Sequence, residues 1–348
     1  MTAGRLPDFF VAGAPKAGTT ALHVALARHP QVFMSRVKEP KHFLTDGPPP
    51  TRGGPGDAKT FAEYVWRRDE YERLFADAAP GQRVGESTPF YLYDAASHRR
   101  IREAVPDARL IALLRDPVDR AHSNWTHLWS AGLEAETDVV RACRLEERRA
   151  AAGWAPFWRY LGLGRYGEQL ARLYETFPRE QVLVLRYRDL REQPAEALSL
   201  IVDFLGLEPG QVSEVPAENV TAHASGTLGN RALSAALRAG DRVERVLPHR
   251  LWTPARDAIS RRLQREQRPR QPLTDHQREQ LVPLVADDVR LLERVTGQSF
   301  GDWLEPRVSR ARRALAPGGK IGTAHNSIDR PLDPAAPRPA RDRRRRVS

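Results

Sequence analysis

The chain of 348 residues contains one cysteine, Cys143, which excludes any disulfide within the chain. No apolar run approaches the roughly 20 residues that a membrane-spanning helix needs. The first residues, MTAGRLPDFFVAG, lack the charged lead and apolar core of a secretory signal. These absences lead us to expect a soluble protein of a reducing compartment, the cytoplasm. Lysine is also scarce: only Lys16, Lys38, Lys41, Lys59 and Lys320 occur among 55 basic residues. That arginine bias and the high alanine content suggest a GC-rich bacterial source. Internal repeats are absent.

What is present is charge, unevenly placed. The formal net charge is +11, and nine of those charges fall in Pro306–Ser348, where twelve Lys/Arg face three Asp. The preceding body is close to balanced. The tail, rich in Pro, Ala and Arg and closing on Arg343–Arg346, reads as disordered. Two uses remain open for it: a merely solvated tail, or weak electrostatic contact with acidic surfaces. No specific nucleic-acid partner is expected. The division is a domain over residues 1–305 and a basic tail over 306–348.

Strand-like and helix-like segments alternate along the body. Phe9–Gly13, Arg83–Glu86, Leu110–Leu114 and the stretch QVLVLRY read as strands, the last two as strands buried on both faces. Thr20–Arg28, the stretch around His98–Ala104, Tyr166–Phe177 and Ala195–Leu205 read as helices. A further helix should start at Asp116, an N-cap followed by proline at the first helical position. The alternation predicts an α/β fold, a P-loop-like three-layer arrangement of a central, mostly parallel sheet flanked by helices. From Arg231 to about Trp303 the pattern is helical, giving a helical C-terminal part.

The stretch FFVAGAPKAGTT, Phe9 to Thr20, runs from a strand through glycines into a helix N-terminus. Free backbone N–H groups and the positive end of the helix dipole make such a turn an anion site. It departs from the P-loop pattern G-x-x-x-x-G-K-[ST]. Gly13 and Gly18 are correctly spaced, but the lysine is Lys16, inside the loop, and Thr19 stands where that lysine would be. The Gly-Lys-Thr/Ser that would place magnesium is therefore missing. Lys16 would meet a ligand near the bridging oxygen between its inner phosphate and a transferred group. A second anion site is expected at RDPVDRAHS, where Arg115 at a strand end and Ser123 on the following helix could converge. Ligands of open α/β sheets bind at the carboxyl ends of the strands, so both sites should share one edge. That suits a nucleotide with phosphates at both ends.

The motif PKAGTTAL resembles the 5'-phosphosulfate loop of sulfotransferases that use 3'-phosphoadenosine 5'-phosphosulfate (PAPS), and RDPVDRAHSNW is similar to their 3'-phosphate motif. KEPKHF, GESTPFYLY, VLRYRDL and GQSFGDWL resemble further landmarks of that family in the same order, so the likeness spans about Leu6 to Leu304. It points to bacterial members and to the domains that modify heparan sulfate. The resemblance implies that Lys16, Ala17, Gly18, Thr19 and Thr20 cradle the 5'-phosphosulfate. It implies that Arg115 and Ser123 hold the 3'-phosphate and that Tyr187 stacks near the adenine. Two features depart from the family pattern. Arg188-Asp189 stands for its Glu-Asp pair, and its Arg-Lys-Gly loop is missing between Asn219 and Arg231, where Arg231 could substitute.

The implied chemistry is in-line attack on sulfur by an acceptor hydroxyl or amine, with 3'-phosphoadenosine 5'-phosphate (PAP) as product and no metal requirement. Lys16 would stabilise the leaving oxygen. Glu39 in KEPKHF is the first candidate for general base, with His42 and Glu86 as alternatives. The acceptor is expected to be a carbohydrate, a glycolipid or a small metabolite. LTDGPPPTRGGPGDAK should be a mobile loop, either a binding lid or a plain surface insertion, and the aromatic segment Trp125–Tyr166 either lines the acceptor site or packs a core. Cys143 is expected to be buried. A P-loop kinase or NTPase, a nucleic-acid-binding protein acting through the tail, and a non-catalytic nucleotide-binding relative are the rival readings.

Overall fold

The computed structural model describes residues 4–216, 223–224, 267–268 and 272–306. Arg231, the 219–231 loop apart from residues 223–224, the start of the C-terminal helical stretch and the tail from residue 307 lie outside the described residues. Five parallel strands form the central sheet: β1 (Phe9–Gly13), β2 (Val32–Met34), β3 (Arg83–Ser87), β4 (Arg109–Leu114) and β5 (Val182–Arg186). Their order is β2-β3-β1-β4-β5. The chain leaves β1 toward one edge and, after β3, continues on the other side of β1. The loop after β1 therefore lies at the topological switch point, where such sheets bind ligands.

Alternation along each strand feeds two separate cores. Phe10 and Ala12 of β1, with Leu110, Ala112 and Leu114 of β4, face one layer; Phe9 and Val11, with Ile111 and Leu113, face the other. The second layer is closed by α1 (Thr19–Leu26) and by α4 (Pro194–Leu205), the latter ending on Gly206 in the left-handed region. The first layer is closed by α3 (Tyr166–Tyr174) and α5 (Ala286–Thr296), through Leu170, Leu173, Val289 and Leu292. Both faces being covered explains why β4 and β5 read as unbroken apolar runs. Gly85 of β3 has no alternative: a Cβ there would stand 2.1 Å from Cζ of Phe9.

A further apolar cluster is built beside the sheet on α2 (Pro117–Ser130), with Trp125, Trp158, Tyr160 and the buried Cys143. Most of the aromatic segment Trp125–Tyr166 thus packs a core. Burial also drives the Cys143 thiol pKa well up, so it stays protonated. The three-residue β2 is too short to show a period, and it went unread in the sequence. The Pro/Gly-rich stretch expected as a loop through Lys59 gives way three residues earlier to a helix, Asp57–Ala62, because Asp57 is drawn into the interior. No helix among the described residues is long and apolar enough to cross a membrane.

Candidate functional site

At the carboxyl ends of the strands lies a cavity of about 630 Å³, whose wall includes Lys16, Gly18, Thr19, Thr20, Glu39, Arg115, Ser123 and Tyr187. The first turn of α1 forms its floor. Gly18 caps that helix at φ 86°, and Lys16 sits at φ 66°. Thr19 and Ala17 are buried, Ala17 fully and outside the cavity wall, whereas Thr20 is exposed. Gly18, Thr19, Thr20 and Ala21 all line the cavity, so the N-terminus of α1 opens on it, the arrangement that holds an anion.

Because β1 and β4 are paired, the residue after β4 reaches the loop after β1. Arg115 donates from Nη1 to the Lys16 carbonyl at 3.0 Å, and its guanidinium stands 5.2 Å from the centre of the Tyr187 ring. Tyr187 opens the short helix Tyr187–Glu192 directly after β5. Three strand ends therefore bring Lys16, Arg115 and Tyr187 together. Asp116 caps α2 by accepting from the N–H groups of Val118 and Asp119. Its carboxylate is also held by Arg278, 2.8 Å away and equally buried. That ion pair ties the C-terminal helices to the base of the helix carrying Ser123.

Lys16, Glu39 and Lys41 are the three non-glycine residues with positive φ among the described residues, and all three line the cavity. Such backbone is costly for a residue with a side chain, so the surroundings must impose it. For Glu39 and Lys41 they do. The N–H of Glu39 donates to the Ser87 carbonyl (3.0 Å), and that of Lys41 donates to Thr88 Oγ1 (3.2 Å). The loop is thereby stitched to the end of β3. Glu39 is also paired with Lys38 at 2.7 Å, while Lys41 pairs with Glu63 at 3.4 Å.

The structure places the other two candidate bases outside the cavity wall. Glu86 is fully buried and accepts from Tyr71 (3.1 Å) and Thr88 (3.0 Å). Burial raises its pKa to about 7, against the pull of those donors. His42 lies flat on Tyr71, ring centres 4.1 Å apart, with Nδ1 against the Val65 carbonyl. Burial lowers its pKa.

Several wall residues are not singled out by the sequence: Lys41, Thr60, Phe90, Thr126 and His127. Phe157 belongs to the aromatic segment Trp125–Tyr166, expected either to line the acceptor site or to pack a core, and it lies on the cavity wall. His127 follows Ser123 by four positions and so shares its helix face, a signal that the motif reading passed over. Its Nδ1 is buried without a hydrogen-bond partner. Burial, aided by the nearby Lys16 charge, pushes its pKa down to about 4, so the ring is neutral. Phe90 and Phe157 come from segments far apart in the chain, and no local pattern joins them.

Comparison with known proteins fits this geometry. A family model described as a sulfotransferase domain matches residues 70–225. A crystal structure of a sulfotransferase from Alicyclobacillus acidocaldarius superposes with a TM-score of 0.66 and 26% identity, covering 86% of this chain and all of that one. The human bifunctional heparan sulfate N-deacetylase/N-sulfotransferase 3 is 29% identical over 234 residues, 60% of this chain. The mouse heparan sulfate glucosamine 3-O-sulfotransferase 3B1 is 30% identical over 205 residues, 59% of this chain. The match spans 23% and 47% of the lengths of those two relatives.

Proposed function

We propose that this chain, a member of the sulfotransferase family, transfers a sulfuryl group from PAPS to a hydroxyl or amine of a small-molecule or carbohydrate acceptor. One observation carries the reading. The glycine-capped loop with Lys16, the side chains of Arg115 and Ser123, and Glu39 line one cavity. The cradle fits a phosphosulfate, since Gly18 and Thr19 open a helix N-terminus beside an ammonium. Arg115 and Ser123 would hold the 3'-phosphate, with Tyr187 beside the adenine and Thr19 and Thr20 completing the cradle; Ala17, expected there from the motif, lies behind it with its N–H donated to the Ala14 carbonyl. The donor supplies an activated sulfuryl group.

The residues divide the work by charge. Glu39 takes the proton from the acceptor as the new S–O or S–N bond forms. Lys16, the loop amides and the end of α1 meet the charge that builds on the departing 5'-phosphate oxygen, which keeps the electron pair of the breaking S–O bond. The neutral ring of His127 sits in the same wall and can only donate from one nitrogen or accept at the other, so it orients rather than carries charge. Glu86 serves to hold the Glu39–Lys41 loop through Thr88, rather than to act as the base.

The test is chromatographic detection of PAP formed from PAPS in the presence of an acceptor panel. The reading predicts acceptor-dependent PAP and a sulfated product, both lost on Lys16→Ala. Acceptor-independent hydrolysis alone, or product formation undiminished in Lys16→Ala, would contradict it.

A further inference from the structure

The segment that carries Glu39 hangs on alternate backbone N–H groups. Those of Glu39, Lys41 and Phe43 all donate to the end of β3 and the residues after it. Their acceptors are the Ser87 carbonyl at 3.0 Å, Thr88 Oγ1 at 3.2 Å and the Tyr91 hydroxyl at 3.2 Å. The first acceptor is backbone and cannot turn away. The other two are side-chain hydroxyls, whose direction depends on where their own protons go.

Glu86 decides that direction. It is fully buried, as are Thr88, Tyr71 and Tyr91. Thr88 donates to its Oε2 at 3.0 Å, Tyr71 donates to its Oε1 at 3.1 Å, and Tyr91 is hydrogen-bonded to the same carboxyl group. An ionised carboxylate only accepts, so the hydroxyl protons point at Glu86. The oxygen lone pairs of Thr88 and Tyr91 are then left for the N–H groups of Lys41 and Phe43. What they hold is a turn under strain. Glu39 and Lys41, on either side of Pro40, have φ of 62° and 59°. A residue with a side chain keeps such backbone only where its surroundings impose it. Without the contacts at Lys41 and Phe43 the turn can relax, and Glu39 moves with it.

We propose that Thr88 and Tyr91, anchored together on Glu86, are positioning residues that hold the Glu39 carboxylate in line with the acceptor. This proposal rests on the sulfotransferase reading and on Glu39 as its base. The three residues act through the backbone of the turn and touch neither donor nor acceptor.

The test uses Thr88→Val, which keeps the side-chain volume and removes the hydroxyl. Assays at about pH 8, above the value of about 7 to which burial raises the Glu86 pKa, keep that group an acceptor. Hydrogen–deuterium exchange of the 38–44 segment should quicken about tenfold or more. Turnover of PAPS is read with the best acceptor of a panel that includes an N-acetylheparosan oligosaccharide and 2-naphthol. It should fall about tenfold, the cost of a modest misplacement, with PAP affinity unchanged and Thr88→Ser restoring the rate. In a Glu39→Gln background the same substitution should cost less than about twofold, because the group it positions is gone. Tyr91→Phe gives an independent second variant should the first fold poorly. Unchanged exchange, PAP affinity falling in step with turnover, or an equal loss with and without Glu39 would each overturn the positioning role and leave the sulfotransferase reading standing. Turnover unmoved by Glu39→Gln alone would overturn the base and its positioning together. Failure of the wild type to form PAP with any acceptor of the panel would overturn the underlying reading as well.

Discussion

At one end of the cavity the polar groups come from three neighbouring strand ends of a single sheet; at the other, the wall is assembled from a helix, a 3-10 turn and a loop. Lys16, Arg115 and Tyr187 follow β1, β4 and β5, which are adjacent in the sheet, so pairing of the strands alone brings them together. The aromatic end, with Phe90 and Phe157, depends on Asp57 fastening Ala155 across 98 positions of sequence. The first end uses backbone and charge, and its design is indifferent to what is modified. The second uses side-chain surface and is where selectivity should reside. Substitutions at the first end should alter donor binding and turnover for every acceptor, while those at the second should alter only which acceptor is used.

The largest effect should come from Glu39→Gln, which keeps the size of the side chain and removes its basicity. Turnover should fall by about 10²–10⁴ with PAP affinity held within a few-fold, read by steady-state rates beside titration. Equal losses in both would turn Glu39 into a scaffold residue and move the base elsewhere. Lys16→Ala should lower turnover by about 10²–10³, as expected for removal of one group stabilising charge in the transition state. Arg115→Ala should weaken PAP binding by about 10–100-fold, the worth of a charge-assisted hydrogen bond, measured by the same titration. Its effect on discrimination between acceptors should be negligible, and a changed preference would break the division between the two ends.

The smallest consequence for the site, and one for stability, follows from Glu86. Its folded pKa of about 7 lies above the unfolded value of 4.5, so between those values the folded state binds the extra proton. Its contribution is full below pH 4.5 and is lost as the pH rises through 7, to a total of about 3 kcal/mol. The buried His98 and the partly buried His23 and His127, each lowered to about 4, act in the opposite sense and lose stability as the pH falls below 6.5. Only a difference isolates Glu86. Denaturant titrations across pH 4.5–7 should show wild type losing stability relative to Glu86→Gln as the pH rises, and parallel curves would contradict the buried acid.

The same contrast explains what could be read from sequence. Strands buried on both faces, the Asp116–Pro117 helix start and the two anion motifs are contiguous signals, each rooted in local backbone geometry. The order of strands around β1 supports the expectation of a parallel sheet with helices on both faces. Phe90 and Lys41 left no such trace, and Phe157 was legible only as one member of an aromatic segment with two open uses. Their importance comes from contacts between distant segments, and an aromatic residue in a wall looks in sequence like one in a core. The aromatic segment Trp125–Tyr166 contains both: Trp158 and Tyr160 are core, whereas Phe157 between them and Asn124 faces the cavity. Which of Glu39, His42 and Glu86 lines the cavity likewise needed the third dimension: Glu39 stands on the wall, whereas Glu86 is fully buried and His42 is stacked on Tyr71.

The most direct test of the central claim is calorimetric titration of PAP without metal, beside ADP with magnesium, into wild type and Arg115→Ala. The account predicts tight binding of PAP in preference to ADP, weakened by the substitution. Preference for ADP with magnesium, or PAP binding that Arg115→Ala leaves unchanged, would contradict it.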